Sequence, residues 1–233
     1  MRIGLLIVGH VDEASRHVAG DYPELFGALL EPVGITLEPY AVDEGVFPDS
    51  EDECEGWICS PSRGSAFDEQ PWLGDAEELI RRMVDRERPY VGICFGHQLL
   101  AQALGTRVAR SEKGWQVGVH SYEITAREPW MDPPAAEIAV IASHQDQVTE
   151  LPRDARLLAR ASGGGCAVAG FAVGERAWTL QPHPEFTVPL AEDLLARRVA
   201  VIGSARVADA RATLDRPLDQ ATIARWIGNF FSS

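Results

Sequence analysis

The sequence predicts a single α/β domain over residues 1–233, a mixed, mainly parallel sheet flanked by helices. Three observations predict it. Short apolar runs alternate with longer segments of helical period, the pattern of a sheet covered by helices on both faces. A cysteine flanked by glycines stands where one such strand gives way to a helix. With 233 residues, 45% hydrophobic and 24% charged, the chain can bury a sizeable core without a disulfide or metal staple.

Residues 3–8 are wholly apolar, as a central parallel strand buried on both faces requires. Residues 22–30 form a helix with Leu25, Phe26, Leu29 and Leu30 on one face. Residues 35–42 and 56–59 are the next strands. Residues 76–84 are helical, with Leu79, Ile80 and Met83 inward and Glu77, Glu78, Arg81 and Arg82 outward. Residues 90–93 form a fourth strand and 97–104 a helix ended by Gly105. Strand-like runs at 117–124, 138–142, 167–173 and 177–180 then follow with few helices between, an antiparallel or mixed extension of the sheet. Gly163-Gly164-Gly165 reads as a connection. Helices return at 190–202 and 223–231, so the core is expected over about 1–200 and a helical extension over about 203–233. No repeat, low-complexity tract or linker divides the chain.

Twenty-one Lys and Arg against 35 Asp and Glu give a formal net charge of −14. That field repels nucleic-acid phosphates and anionic lipid, so neither is expected as a partner. The opening apolar run is too short for a signal peptide and ends abruptly at His10-Val11-Asp12-Glu13, and no run suits a transmembrane helix. Cys54, Cys59, Cys94 and Cys166 form no CxxC pair and no dense disulfide spacing, which fits a reducing compartment, and the expectation is cytoplasmic.

Gly92-Ile93-Cys94-Phe95-Gly96 carries the strongest chemical signal. Glycines two before and two after a nucleophile let a strained strand-to-helix turn expose it without collisions. At a helix N-terminus the macrodipole favours the anionic sulfur, and the Phe95 N–H is free to donate to an oxyanion. A buried structural cysteine beside a packing glycine is the alternative. The base is sought in Gln181-Pro182-His183-Pro184-Glu185, directly after the strand at 177–180. Residues i and i+2 of an extended segment point the same way, and the prolines keep the segment out of a helix. His183 can then accept the thiol proton while Glu185 orients the ring.

These segments resemble the class I, triad-type glutamine amidotransferases, close to the amidotransferase part of GMP synthase and its stand-alone relatives. The resemblance is carried by Gly92-Ile93-Cys94-Phe95-Gly96-His97-Gln98 and His183-Pro184-Glu185. Ala142-Ser143-His144-Gln145-Asp146-Gln147-Val148 and Ser65-Ala66-Phe67-Asp68-Glu69-Gln70-Pro71-Trp72 add two further segments, in the right order over about residues 1–200. It implies a flavodoxin-like fold and a triad of Cys94, His183 and Glu185. It further implies that Gln98 contacts the substrate glutamine and that Ser143 and His144 hold its amino-acid end. The implied chemistry is hydrolysis of the glutamine side-chain amide through a γ-glutamyl thioester, releasing ammonia for a synthetase on another chain. No metal or organic cofactor is required.

One stretch departs from the family pattern. Its oxyanion strand usually ends in Ser-Gly-Gly-Pro or a close variant, whereas here the residues are Ser60-Pro61-Ser62-Arg63-Gly64. Pro61 has no N–H, so Ser62 becomes the expected backbone donor beside Phe95. Arg63 adds a charge at the pocket rim. Trp115 matches a loop near the glutamine pocket in the family, with core packing the alternative. Ser162-Gly163-Gly164-Gly165-Cys166 lacks the Asp-Ser end of the synthetase nucleotide loop, and no Walker or dinucleotide glycine motif is present. His10, His17 and His120 are expected to be solvated or packed, and no cluster has zinc-ligand spacing. A stand-alone γ-glutamyl hydrolase or peptidase, or a silent binding module of the same fold, are the competing readings. A serine-type α/β-hydrolase is disfavoured, because there the acid precedes the histidine at a distance.

Overall fold

The computed structural model describes residues 1–233. Its strands are β1 (Arg2–Ile7), β2 (Thr36–Ala41), β3 (Gly56–Cys59), β4 (Tyr90–Ile93), β5 (Val108–Arg110), β6 (Gln116–Ile124), β7 (Glu137–His144), β8 (Asp146–Val148), β9 (Arg156–Ala161), β10 (Gly170–Val173) and β11 (Ala177–Leu180). Its helices are α1 (Arg16–Ala19), α2 (Tyr22–Leu30), α3 (Leu73–Asp85), α4 (Phe95–Ala103), α5 (Val188–Arg197), α6 (Val199–Ile202), α7 (Ser204–Arg211) and α8 (Gln220–Ser232). Nine strands form one sheet in the order β2-β1-β3-β4-β11-β10-β9-β6-β7. The five from β2 to β11 are parallel, and the rest of the sheet is antiparallel. β5 and β8 make a separate two-stranded ladder.

Alternation along β1 shows why its run is wholly apolar. Ile3, Leu5 and Ile7 enter the core beneath α2, α5 and α8, while Leu6 and Val8 enter the core beneath α3 and α4. Helix starts are written locally. Asp21 and Glu24 form a capping box at α2, and the Thr187 hydroxyl accepts from Leu190 N–H at α5. No helix is long and apolar enough to cross a membrane.

Several features differ from the sequence expectations, among them β5, β8 and α1, which were not expected. The helix expected at 190–202 is two helices, because Arg198 leaves helical geometry at φ −99°, ψ 12° between α5 and α6. The break carries the Arg198 guanidinium to the Ser143 hydroxyl, 3.3 Å away. β9 was not expected, since Arg156 and Arg160 interrupt its apolar run; both turn outward to pair with Glu128 and Glu123. α7 lacks an apolar stripe, burying only Val207 and Ala210. The segment from 203 onward is part of the main core, where α8 buries Ile223, Trp226, Ile227 and Phe230.

Candidate active site

Cys94 follows β4 and caps α4 with φ +51° and ψ −98°, a conformation that costs a non-glycine residue on the order of 1–3 kcal/mol. Its surroundings enforce the strain. The Cys94 N–H donates to the Leu180 carbonyl at 2.8 Å, and the Cys94 carbonyl accepts from Gln98 N–H at 3.1 Å. A methyl group added at Gly92 would sit 2.5 Å from the Gly96 carbonyl oxygen, and one at Gly96 would sit 2.5 Å from the Cys59 carbonyl oxygen. Both glycines are therefore demanded by close backbone approach.

Ile93 and Leu180 pair in the parallel ladder of β4 and β11, so the residues after them emerge side by side. The Gln181 amide reaches the Cys94 Sγ at 3.5 Å. Two residues on, the His183 N–H donates to Ile141 O at 2.8 Å, which ties the edge strand β7 to the site. His183 Nδ1 lies 2.7 Å from Glu185 Oε1, and Phe186 stacks on the imidazole with centroids 4.0 Å apart. His183 and Glu185 are almost fully buried. Burial works to lower the His183 pKa, but the Cys94 sulfur and the Glu185 carboxylate outweigh it and raise the pKa above the ordinary value. His183 Nε2 is buried and has no hydrogen-bond partner.

Cys94 and His183 open into one cavity of about 290 Å³. Among its lining residues, Gln98, Ser65, Arg110 and His144 cluster around Asp146. There Gln98 Nε2 donates to Asp146 O and Gln181 Oε1, Ser65 Oγ donates to Asp146 Oδ2, and Arg110 lies 3.5 Å from Asp146 Oδ1. Burial lowers the His144 pKa to about 3 against a hydrogen bond to Asp146 O, leaving a neutral ring whose Nε2 is unpartnered. Asp12, Tyr22, Arg63, Phe186 and Arg198 also line the cavity, with Arg63 3.4 Å from Asp12. No group of three or more His, Cys, Asp or Glu side chains is arranged to hold a metal ion.

The profile of the family "Glutamine amidotransferase class-I" matches residues 30–200. The chain belongs to this family. The chain is 32% identical to gamma-glutamyl peptidase 4 of Arabidopsis thaliana over 196 residues, covering 81% of this chain and 77% of that one. It is also 32% identical to a glutamine-hydrolysing GMP synthase of Pyrobaculum aerophilum, over 71% of this chain but 31% of the synthase. Its fold matches the crystal structure of a glutamine amidotransferase from Thermotoga maritima with a TM-score of 0.79, at 19% identity and with 99% of each chain covered.

Within this fold, Cys94, Gln98, Ser143, His144 and His183 line one cavity, and Glu185 lies behind His183 at its Nδ1. Ser62 lines the cavity, and Gly9 lies so close to its hydroxyl that any side chain there would collide with it. Phe95 buries its ring near Trp72 and leaves its N–H in the open first turn of α4. Trp115 lines the cavity, whereas His10 pairs with Asp21 and Asp43, away from it. Gln181 and Asp146 stand inside the sequence motifs without an assigned role, and Arg110, Tyr22 and Arg198 were not expected at the cavity. The signal for Gln181 was its place one residue past a strand paired with that of Cys94. Arg198, inside a helical pattern, gave none.

Proposed function

We propose that this protein hydrolyses γ-glutamyl amide bonds through a thioester on Cys94. The observation that carries the reading is the strained Cys94 turn facing a buried His183–Glu185 pair across one cavity. His183 takes the Cys94 proton, and the sulfur attacks the γ-carbonyl carbon of the substrate. The Phe95 and Ser62 N–H groups stabilise the resulting oxyanion. As the tetrahedral intermediate collapses, the C–N bond breaks and the His183 imidazolium gives its proton to the leaving amine. A water deprotonated by His183 then attacks the thioester, the C–S bond breaks, and glutamate leaves as the sulfur regains its proton. Glu185 keeps the ring oriented and compensates its charge throughout. Gln98, Asp146 and the neutral His144 bind the amino-acid end.

The likeness to a γ-glutamyl peptidase over most of both chains supports a γ-glutamyl compound as the substrate. The likeness to GMP synthase supports a second reading, in which glutamine is the donor and ammonia passes to a synthetase on another chain. Four free, buried cysteines support a reducing, cytoplasmic setting. The test is release of glutamate from γ-glutamylglycine and from L-glutamine, measured side by side in the wild type and Cys94→Ala. Faster turnover of the peptide, lost in the variant, supports the first reading. Turnover of glutamine alone supports the second.

A further inference from the structure

We infer that Arg198 recognises a carboxylate on the leaving amine, so that the substrate is a γ-glutamyl amino acid or peptide. This rests on the thioester chemistry proposed above and adds the identity of what departs.

Three observations carry it. First, Arg198 is a half-buried guanidinium on the cavity wall with one protein hydrogen bond, from Nη1 to the neutral Ser143 hydroxyl at 3.3 Å, and no ion pair. A guanidinium withdrawn from water without an anion is costly, and its fork geometry suits a carboxylate. Burial holds its pKa below the ordinary value; Tyr22, Asp12 and Cys94 act to raise it and the Arg63 charge to lower it. Two like charges thus face the same space, and Arg63 already has Asp12 at 3.4 Å. Arg198 has no carboxylate within ion-pair distance, Asp12 acting on it only from farther off.

Second, the amino-acid end of a γ-glutamyl group has its own complement elsewhere. Asp146 and the unpartnered His144 Nε2 suit an ammonium, and Arg110 beside Asp146 suits an α-carboxylate. Successive side chains of a strand point to opposite faces, so Ser143 meets Arg198 while His144 turns to Asp146.

Third, the leaving amine must lie on the His183 side, because His183 protonates it. Phe186, stacked on His183, lines the cavity along with Tyr22 and Arg198. Ammonia would bring nothing for Arg198 to bind. An amine bearing a carboxylate would.

The experiment compares γ-glutamylglycine with γ-glutamylglycinamide, which lacks only the charge. Binding is read by titration calorimetry in Cys94→Ala, and kcat/KM in the enzyme with Cys94 intact. A charge-assisted hydrogen bond predicts a preference of about 10- to 100-fold for the carboxylate in both readouts. Arg198→Met should bring the ratio towards one, with the loss in KM, and Arg198→Lys should keep part of it. Equal binding of the two ligands in Cys94→Ala overturns the proposal without any Arg198 variant being needed. So does an equal loss for both ligands in Arg198→Met, which would put Arg198 at the glutamyl end. A binding preference without hydrolysis by the Cys94 enzyme upholds the carboxylate site and overturns the thioester reading instead.

Discussion

Ile93 of β4 and Leu180 of β11 are partners in a parallel ladder, and the residues that follow them, Cys94 and Gln181, meet at the sulfur. Cys94 and His183, the proposed nucleophile and base, lie 89 positions apart in sequence, yet neighbouring strands deliver both to the same C-terminal end of the sheet. Parallel α/β sheets build their sites at the C-terminal ends of strands, and the site here follows that rule.

Glu185→Gln should lower kcat on the order of 10²–10⁴-fold, because the His183 ring loses the carboxylate that orients and compensates it. It should also move the basic limb of the pH–rate profile. Glu185 helps raise the His183 pKa, so the imidazolium survives to higher pH in the wild type. Removing it shifts that limb to lower pH, which a profile of kcat/KM between neutral and alkaline pH would read.

Ser62→Pro deletes one proposed oxyanion donor, whereas Ser62→Gly retains it. The account predicts a kcat loss of about 10²–10³-fold for the proline variant and a much smaller one for glycine. Circular dichroism of both variants checks that the loss is not one of folding.

Gly92→Ala and Gly96→Ala force a methyl group against backbone carbonyls. Each should destabilise the fold by about 1–3 kcal/mol, read from urea midpoints at unchanged slope.

Acid sensitivity should trace in part to His97 and His144. Burial lowers the pKa of each to about 3, so the folded state leaves them neutral. The unfolded chain takes up a proton at each below about pH 6.5, while the folded chain does not until near pH 3. Their contribution to stability is intact above pH 6.5 and falls as the pH drops through that window. His97→Gln should flatten the fall in urea midpoint between pH 6.5 and 4.

The parallel half of the fold was legible in the sequence because its strands are apolar on both faces and its helices carry apolar stripes. β9 was not, since Arg156 and Arg160 find their partners only through tertiary pairing with Glu128 and Glu123. The cysteine turn and the His183–Glu185 pair were legible for a local reason: glycine spacing and prolines leave their mark on short segments. The walls of the cavity were not. Arg198 reaches it only because a helix breaks, Gly9 matters only because Ser62 packs on it, and β7 joins the site only because Ile141 accepts from His183. Such relationships between distant segments leave no pattern in a window of sequence.

The most direct measurement is rapid quenching of the enzyme with γ-glutamylglycine, followed by mass spectrometry of the peptide that carries Cys94. The account predicts a γ-glutamyl adduct on Cys94 that forms and decays at rates compatible with turnover and accumulates in Glu185→Gln if thioester hydrolysis becomes limiting. Turnover with no adduct on that peptide, or turnover that persists in Cys94→Ala, would contradict it.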